Sequence, residues 1–203
     1  TNTNILNKVI QHAKKNKRSI NGLVNNAGER QRLKFNDITR KKVLRIFEQN
    51  FFSVFYNMQI FSKYLKQKKL NGSIVNIGSI GGISSLGRGQ IAYQTAMGAV
   101  VQMTRSLATE WASRGVRVNA ILPAQVLNPG LQGRIEKTPE VLNTFLGGIP
   151  AGRMGKPDDI KGLSVLLASD SASWITGALI PMDGGNTALN AGGSYPGSPQ
   201  ASG

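Results

Sequence analysis

The sequence predicts an α/β fold, a doubly wound parallel sheet with helices on both faces, in one domain that covers residues 1–189. The first observation is that short apolar runs alternate with longer segments in which apolar residues recur at helical spacing. The second is that these longer segments can serve as crossover helices, which place successive strands in parallel with a right-handed connection. Residues 190–203 are rich in Gly, Ser and Pro and predict a loose tail.

The short apolar runs are the predicted strands: residues 20–24, 73–77, 116–121 and 177–182. The predicted helices are residues 3–15, a long stretch after Thr39 whose apolar stripe continues to Leu65, residues 93–113, and a helix that starts at Pro157. Thr39 is a residue type suited to the N-cap of the second helix. Residues 123–150 contain many Pro, Gly and Asn, so we expect a long mobile connection with one short helix inside it.

Composition excludes several classes of protein and site. The chain has 203 residues, of which 40% are hydrophobic and 17% charged, as in an ordinary globular domain. No apolar run approaches the roughly 18 residues that a membrane span requires. The absence of cysteine excludes disulfides and thiolate zinc sites, and a single histidine, His12, excludes the usual zinc clusters. We therefore expect a cytoplasmic domain with no metal site and no membrane partner.

The formal net charge is +15, and most of it lies in the first 70 residues, which hold 16 Lys and Arg against three acidic residues. Such a basic excess can indicate nucleic-acid binding. Here, however, the basic residues occupy the polar faces of predicted helices, and no aromatic residues alternate with them in a strand as a single-strand binder requires. Nucleic-acid binding is therefore kept only as a minor alternative.

Short polar and glycine-containing motifs follow the predicted strands in a characteristic order. In parallel sheets the carboxyl ends of the strands form the ligand-binding rim, so motifs that follow strands are candidates for a site. They are Asn-Asn-Ala-Gly at 25–28, Ser79, Tyr93 at the head of a helix, Pro123, Gly-Arg-Met-Gly-Lys-Pro at 152–157, Thr-Gly at 176–177 and Asp-Gly-Gly at 183–185. Taken together, these motifs resemble the short-chain dehydrogenase/reductase family, and the match covers nearly every element from residue 1 to about residue 187.

The resemblance implies a Rossmann-like fold and hydride transfer between NAD or NADP and a small alcohol or carbonyl substrate. It implies Tyr93 as the acid/base, Ser79 as the group that polarises the substrate oxygen, and Asn50 as the holder of a relay water. The cofactor-binding residues that it implies are Asn26, Ala27, Gly28, Tyr93, Pro123, Val126 through its backbone, and Asn128. In the family Asn26 also helps to hold the sheet.

Each of these residues also has a purely structural interpretation. The Asn-Asn-Ala-Gly motif could be a strand-ending turn, and Ser79 could be turn chemistry in a Gly/Ser loop. Asn50 could be a polar face residue in a long helix. Asn128 stands where relatives often have a threonine, and Ala124 stands where they commonly have glycine.

One departure from the family pattern concerns the chemistry directly. A free tyrosine titrates near 10, and in the family a lysine one helical turn after the tyrosine lowers that value and holds the cofactor ribose. The residue four positions after Tyr93 is Met97, which carries no charge and is expected to pack in the core. Arg88 is the nearest basic residue in sequence that could substitute. We therefore expect impaired catalysis.

A second departure is that no glycine-rich turn precedes Asn25, although family members begin with a strand and such a turn at the cofactor pyrophosphate. The first strands of the fold are then missing, and the strand at Leu23 and Val24 is expected to expose an apolar edge. Either the chain is a fragment of a longer product, which we favour, or a partner covers that edge.

The sequence-based reading is therefore an NAD(P)-dependent oxidoreductase of the short-chain type, with reduced activity. A non-catalytic relative that serves as a subunit or ligand-binding protein is the alternative. The long helix with Phe47, Phe51 and Phe55, and the helix after Tyr93, resemble the oligomer-forming pair of the family. A homodimer or homotetramer is expected.

Overall fold

The computed structural model describes residues 4–85 and 89–190 of the 203-residue chain. Within that part, four strands form one parallel sheet in the order β1-β2-β3-β4. The strands are β1 (Gly22–Asn25), β2 (Gly72–Ile77), β3 (Val116–Pro123) and β4 (Leu179–Met182). The helices are α1 (Asn4–Lys15), α2 (Arg40–Phe47), α3 (Ser53–Lys68), α4 (Ile91–Trp111), α5 (Pro129–Lys137), α6 (Glu140–Leu146), α7 (Pro157–Ala168) and α8 (Asn186–Asn190). The doubly wound α/β fold is confirmed.

Alternating residues of the central strands face opposite layers of helices, as the two-residue period of a strand requires. On one face, Ile74 and Val118 pack with residues of α1, α3 and α4. On the other face, Val75 and Ile121 pack with α7 through Leu167. All of these side chains are fully buried, so the sheet is covered on both sides where the strands are central.

The second helix is less regular than its sequence pattern suggested. Thr39 does cap it, and its side chain accepts a hydrogen bond from the Lys42 backbone N–H at 3.4 Å. The long stretch is divided, however, by a π-helical segment over Glu48–Phe52, between α2 and α3. Such insertions are frequent at functional sites, and this one contains Asn50.

The connection after β3 is more ordered than expected. Two helices, α5 and α6, occupy the region in which the sequence predicted one short helix. Asn128 caps α5 by accepting from the Leu131 N–H at 3.0 Å. Phe145 of α6 packs with Ile149 and Met154 in a small separate apolar cluster. Leu127 and Leu131 pack against the same cluster, which orders a segment whose composition predicted mainly loop.

The first strand lies at the edge of the sheet, as the sequence predicted. It pairs with β2, and Val24 pairs with Val75, but Val24 remains 49% exposed. On α7, Val165 is 69% exposed. Among the described residues, no helix is both long enough and apolar enough to cross a membrane. The tail beyond residue 190 lies outside the part that the structure describes.

Candidate active site

A cavity of about 920 Å³ lies at the carboxyl ends of the strands. The described residues that line it come from the turn after β1, the loop after β2, the start of α4, the segment after β3, and α7. All of the proposed site residues are among them: Asn26, Ala27, Gly28, Asn50, Ser79, Tyr93, Pro123, Val126 and Asn128. The shared rim expected from the strand order is therefore present, with Ser79 and Tyr93 on the wall of one cavity.

Ser79 combines a structural role with a place in the cavity wall. It follows β2 and caps a short 3-10 turn at Ile80–Gly82, where its Oγ accepts a hydrogen bond from the Gly81 N–H at 3.1 Å. The residue is only 8% exposed. Because Oγ acts as an acceptor in this bond, its own hydrogen is free of that contact and can be donated to another group. The turn interpretation of Ser79 therefore applies, and its place in the cavity wall is where the catalytic interpretation requires it.

Tyr93 lies in the first turn of α4 and is half-buried. Its ring packs against the main apolar cluster of the protein. It lines the large cavity and also a small recess beside it, which Ser79 lines as well. The helix positions the tyrosine so that this residue lines both spaces.

Asn50 is buried to 1% exposure, and its amide holds the turn that follows β1. Its Oδ1 accepts from the Glu29 N–H at 3.0 Å, and its Nδ2 donates to the carbonyl oxygens of Glu29 at 2.9 Å and Ile46 at 2.8 Å. A Cβ on Gly28 would lie 2.7 Å from that Oδ1. The small residue at position 28 therefore makes room for Asn50, and Gly28 also lines the cavity, where the resemblance implies cofactor binding.

The asparagine that holds the sheet is Asn25 rather than Asn26. Asn25 is 5% exposed and donates to Asn76 Oδ1 at 2.9 Å, while Asn76 donates to Thr104 Oγ1 at 3.0 Å. Asn26 is exposed and lines the cavity. The alternation of side chains along a strand explains the difference, since neighbouring residues point to opposite sides. Asn25 therefore holds the sheet, and Asn26 faces the cavity.

Met97 packs as expected. It is 4% exposed, belongs to the main apolar cluster and contributes to the cavity wall. Arg88, the proposed substitute cation, lies outside the described residues. Among those residues, two cations line the large cavity: Arg30, and Lys161, whose Nζ is 2.6 Å from Asp158 Oδ1. Sequence reasoning missed Arg30, although its position two residues after the Asn-Asn-Ala-Gly motif could have suggested it.

The far wall of the cavity is built by the segment after β3. Pro123 ends the strand, and Val126 forms a parallel bridge with Gly155. The backbone carbonyl of Val126 accepts from Asn128 Nδ2 at 3.3 Å, so Asn128 supports this wall as well as capping α5. The segment is thus positioned by the Gly-Arg-Met-Gly-Lys-Pro motif that contains Gly155.

That motif is locked by one ion pair. Arg153 donates to both oxygens of Asp159, at 2.8 and 3.0 Å, and Asp159 also accepts from the Lys156 N–H at 2.7 Å. These hydrogen bonds, with that from Arg153 first, lower the pKa of Asp159 from its usual 3.8 to about 2. Asp159 therefore serves as an anionic cap for α7 rather than as a proton donor.

The residues present fit the nicotinamide end of a dinucleotide. The cavity is within the size range of cofactor sites. The turn after β1 and Gly78 after β2 present backbone and small side chains to it. Residues 1–21 contain no glycine, so these residues supply no glycine-rich turn for a pyrophosphate.

Comparison with known proteins gives a consistent family. Residues 1–187 match the family model described as enoyl-(acyl carrier protein) reductase. Galactitol 2-dehydrogenase (L-tagatose-forming) of Cereibacter sphaeroides is 38% identical over 170 residues, which cover 81% of this chain and 65% of that protein. The 3-oxoacyl-[acyl-carrier-protein] reductase of Thermotoga maritima is 37% identical, over 82% of this chain and 65% of its own length. The chain thus spans about two thirds of the length of these relatives.

Solved structures agree with the sequence relatives. A short-chain dehydrogenase from Bacillus anthracis superposes with a TM-score of 0.79 at 30% identity, covering 92% of this chain and 72% of that one. ElxO with bound NADP superposes with a TM-score of 0.84 at 26% identity, covering 92% and 75%. With the parallel sheet, the rim cavity and these matches in agreement, the chain belongs to the short-chain dehydrogenase/reductase family.

Proposed function

We propose that this chain forms the substrate-side part of an NAD- or NADP-dependent oxidoreductase that interconverts a small alcohol and its carbonyl compound. The observation that carries the proposal is that Ser79 and Tyr93 line the same cavity at the carboxyl ends of the strands. When bound, the nicotinamide cofactor would supply or accept the hydride. NADP is bound in the ElxO structure, which supports a cofactor of this class.

The proton chemistry would fall to two residues of the chain. The Tyr93 phenol gives a proton to the substrate oxygen during reduction and takes it back during oxidation. The Ser79 hydroxyl donates a hydrogen bond to the same oxygen, which its existing bond from the Gly81 N–H permits. Asn26, Ala27, Gly28, Pro123, Val126 and Asn128 would form the wall against the nicotinamide end.

The hydrogen bonds that Asn50 already makes limit the contacts it could offer to a relay water. Both hydrogens of its amide are committed to backbone carbonyl oxygens. A water at this side chain could therefore only donate to Oδ1, which already accepts from the Glu29 N–H. We propose that Asn50 acts mainly by holding the turn after β1 in place and contributes one acceptor to any relay.

Met97 is the proposed cause of reduced activity. The substitution Met97→Lys in the whole gene product is expected to raise the rate of hydride transfer, measured by nicotinamide absorbance on a panel of small alcohols and carbonyls. The position lines the cavity, so a lysine ammonium there can reach the site. Thr95→Lys, which adds the same charge at an exposed position of α4, is the matched control. If Met97→Lys gives no gain over this control, position 97 does not limit activity.

A non-catalytic, ligand-binding relative is the second candidate, and the burial of Met97 favours it. Here the cavity binds a dinucleotide without turnover. Titration with NAD and NADP, together with the same activity panel, distinguishes the catalytic from the non-catalytic function. Dinucleotide binding with no turnover, in both the wild type and Met97→Lys, supports the non-catalytic function.

We also propose that the protein is a homodimer or homotetramer through α3 and α4. Phe51, Phe52, Phe55 and Tyr56 form a continuous series of ring contacts, with centroids 5.3 to 6.3 Å apart. Phe55 and Tyr56 each remain 39% exposed. Size-exclusion chromatography of the wild type and of Tyr56→Lys tests this interface. If the wild type elutes as an oligomer and Tyr56→Lys elutes at the same volume, the proposed interface is wrong.

A further inference from the structure

We infer that the site selects a substrate with a negatively charged group, and that Arg30 and Arg32 bind that group. This inference rests on the proposed function, because it concerns the substrate of the same site. It starts from the small recess beside the large cavity, whose wall includes Ser79 and Tyr93. The two residues proposed to act on the substrate oxygen thus also define the space that the rest of the substrate would enter.

The charged residues that line the recess, among those that the structure describes, are all basic. The described residues that line it include Arg30 and Arg32 and no carboxylate. Glu29, the acidic residue next to them in sequence, has its carboxylate 3.0 Å from Arg45 Nε, so a different arginine engages it. Two arginines beside one recess attract anions, and a guanidinium group binds carboxylate and sulfonate oxygens with charge-assisted hydrogen bonds.

The size of the recess limits what it can hold. Its free volume is about 20 Å³, which corresponds to about one water-sized group. Arg30, Ser79, Tyr93 and Ala124 line both this recess and the large cavity. One hydroxyl-sized group of a substrate can therefore occupy the recess, while its anionic group lies at the mouth beside the exposed Arg30 and Arg32 and its reacting carbon stays in the large cavity.

A second observation in the same wall indicates a hydroxyl-bearing ligand. Gln125 is 6% exposed and lines the recess. Its Oε1 is buried and has no hydrogen-bond partner within residues 4–85 and 89–190. Buried acceptors of this kind are rare in folded proteins because the loss of hydration is not compensated. A substrate hydroxyl other than the reacting one would supply the partner by donating to Oε1, so the substrate class is an acid that carries a further hydroxyl group, in its hydroxy or oxo form.

The test compares anions with neutral molecules of similar shape. Calorimetric titration of the whole gene product uses gluconate against glucitol, and hydroxypropanesulfonate against hydroxypropanesulfonamide. The expected result is that at least one anion binds about tenfold more tightly than its neutral partner, equivalent to about 1.4 kcal/mol. The two pairs distinguish a carboxylate from a sulfonate as the preferred group. If neither anion binds more tightly than its partner, the inference is wrong.

Matched variants assign the preference to the recess. Arg30→Gln and Arg32→Gln are each expected to reduce the preference for the anion about tenfold. Arg18→Gln removes the same charge from an exposed residue before β1, at the opposite ends of the strands, and is expected to leave the preference unchanged. An equal loss in Arg18→Gln would show that only overall charge matters and would overturn the inference.

Gln125→Met tests the hydroxyl contact. The variant replaces an unpaired buried acceptor with an apolar group of similar length, which is expected to leave the fold intact, as circular dichroism would show. Gluconate binding is expected to weaken several-fold, and unchanged gluconate affinity in a folded Gln125→Met protein would remove the hydroxyl from the inference. Hydride transfer is measured separately. Anion binding without turnover would count against the proposed function and leave the anion site standing.

Discussion

The contacts of Asn50 predict a large loss of stability for Asn50→Ala. The side chain makes three hydrogen bonds to backbone groups of Glu29 and Ile46 and is 1% exposed. Each such bond contributes about 0.5–1.5 kcal/mol, and the backbone groups would lose their partners in a buried place. The expected loss in the free energy of unfolding is therefore about 2–4 kcal/mol, a large part of the roughly 5–15 kcal/mol available to a domain.

The assay is equilibrium unfolding in urea at one fixed protein concentration, because oligomerisation would otherwise shift the midpoint. Asn143→Ala on α6 removes the same atoms at an exposed position and is expected to change stability by less than about 0.5 kcal/mol. Asn50→Asp keeps the shape but turns both donors into acceptors that face carbonyl oxygens. It is expected to be at least as destabilising as Asn50→Ala.

A stability of Asn50→Ala within about 0.5 kcal/mol of the Asn143→Ala control would refute this reasoning. It would mean that the turn after β1 holds its conformation without the asparagine. The proposal that Asn50 acts by positioning that turn would then lose its basis.

Three further predictions concern the scaffold of the protein. Gly115→Ala is expected to lower the thermal midpoint, since Gly115 has a φ of +68° and a Cβ there would overlap the Asn71 side chain; the cost is at least about 1–2 kcal/mol. Because the pKa of Asp159 is lowered, its ion pair with Arg153 stabilises the fold fully above about pH 4, and this contribution is lost as the pH falls through about 2. Between about pH 4 and pH 2, the urea midpoint of the wild type should therefore fall more steeply than that of Asp159→Asn. Identical pH profiles for the two proteins would contradict a stabilising role of the ion pair. Val24→Lys, on the exposed edge strand, is expected to reduce aggregation in light scattering without changing the circular dichroism spectrum.

Much of the fold could be predicted because its signals are local. The strands β2 and β3 are mainly apolar because both of their faces are covered, and Thr39 and Pro157 mark helix starts through their own chemistry. The sequence also predicted that Ser79 and Tyr93 would line one cavity, because motifs that follow parallel strands lie at the same rim of the sheet.

Other features could not be predicted, because they depend on contacts between distant segments. The choice of Asn25 over Asn26 as the sheet asparagine depends on which side of β1 faces Asn76. The apolar cluster around Phe145 of α6 joins Leu127, in the segment after β3, to Met154 in the motif that precedes α7. Arg30 and Gln125 reach one recess from two loops about a hundred residues apart.

By itself, the sequence determined the family, the order of strands and helices along the chain, and the uncharged residue at position 97, because each of these is a property of residue types and their spacing. Only the tertiary structure decided which groups share a space with Tyr93. It engages the Asn50 amide in holding a turn, and it lines one recess with Tyr93, two arginines and an amide oxygen that has no partner among the described residues. The physical reason is that burial, hydrogen-bond partners and local charge arise from chain segments brought together in space, and no local pattern encodes them.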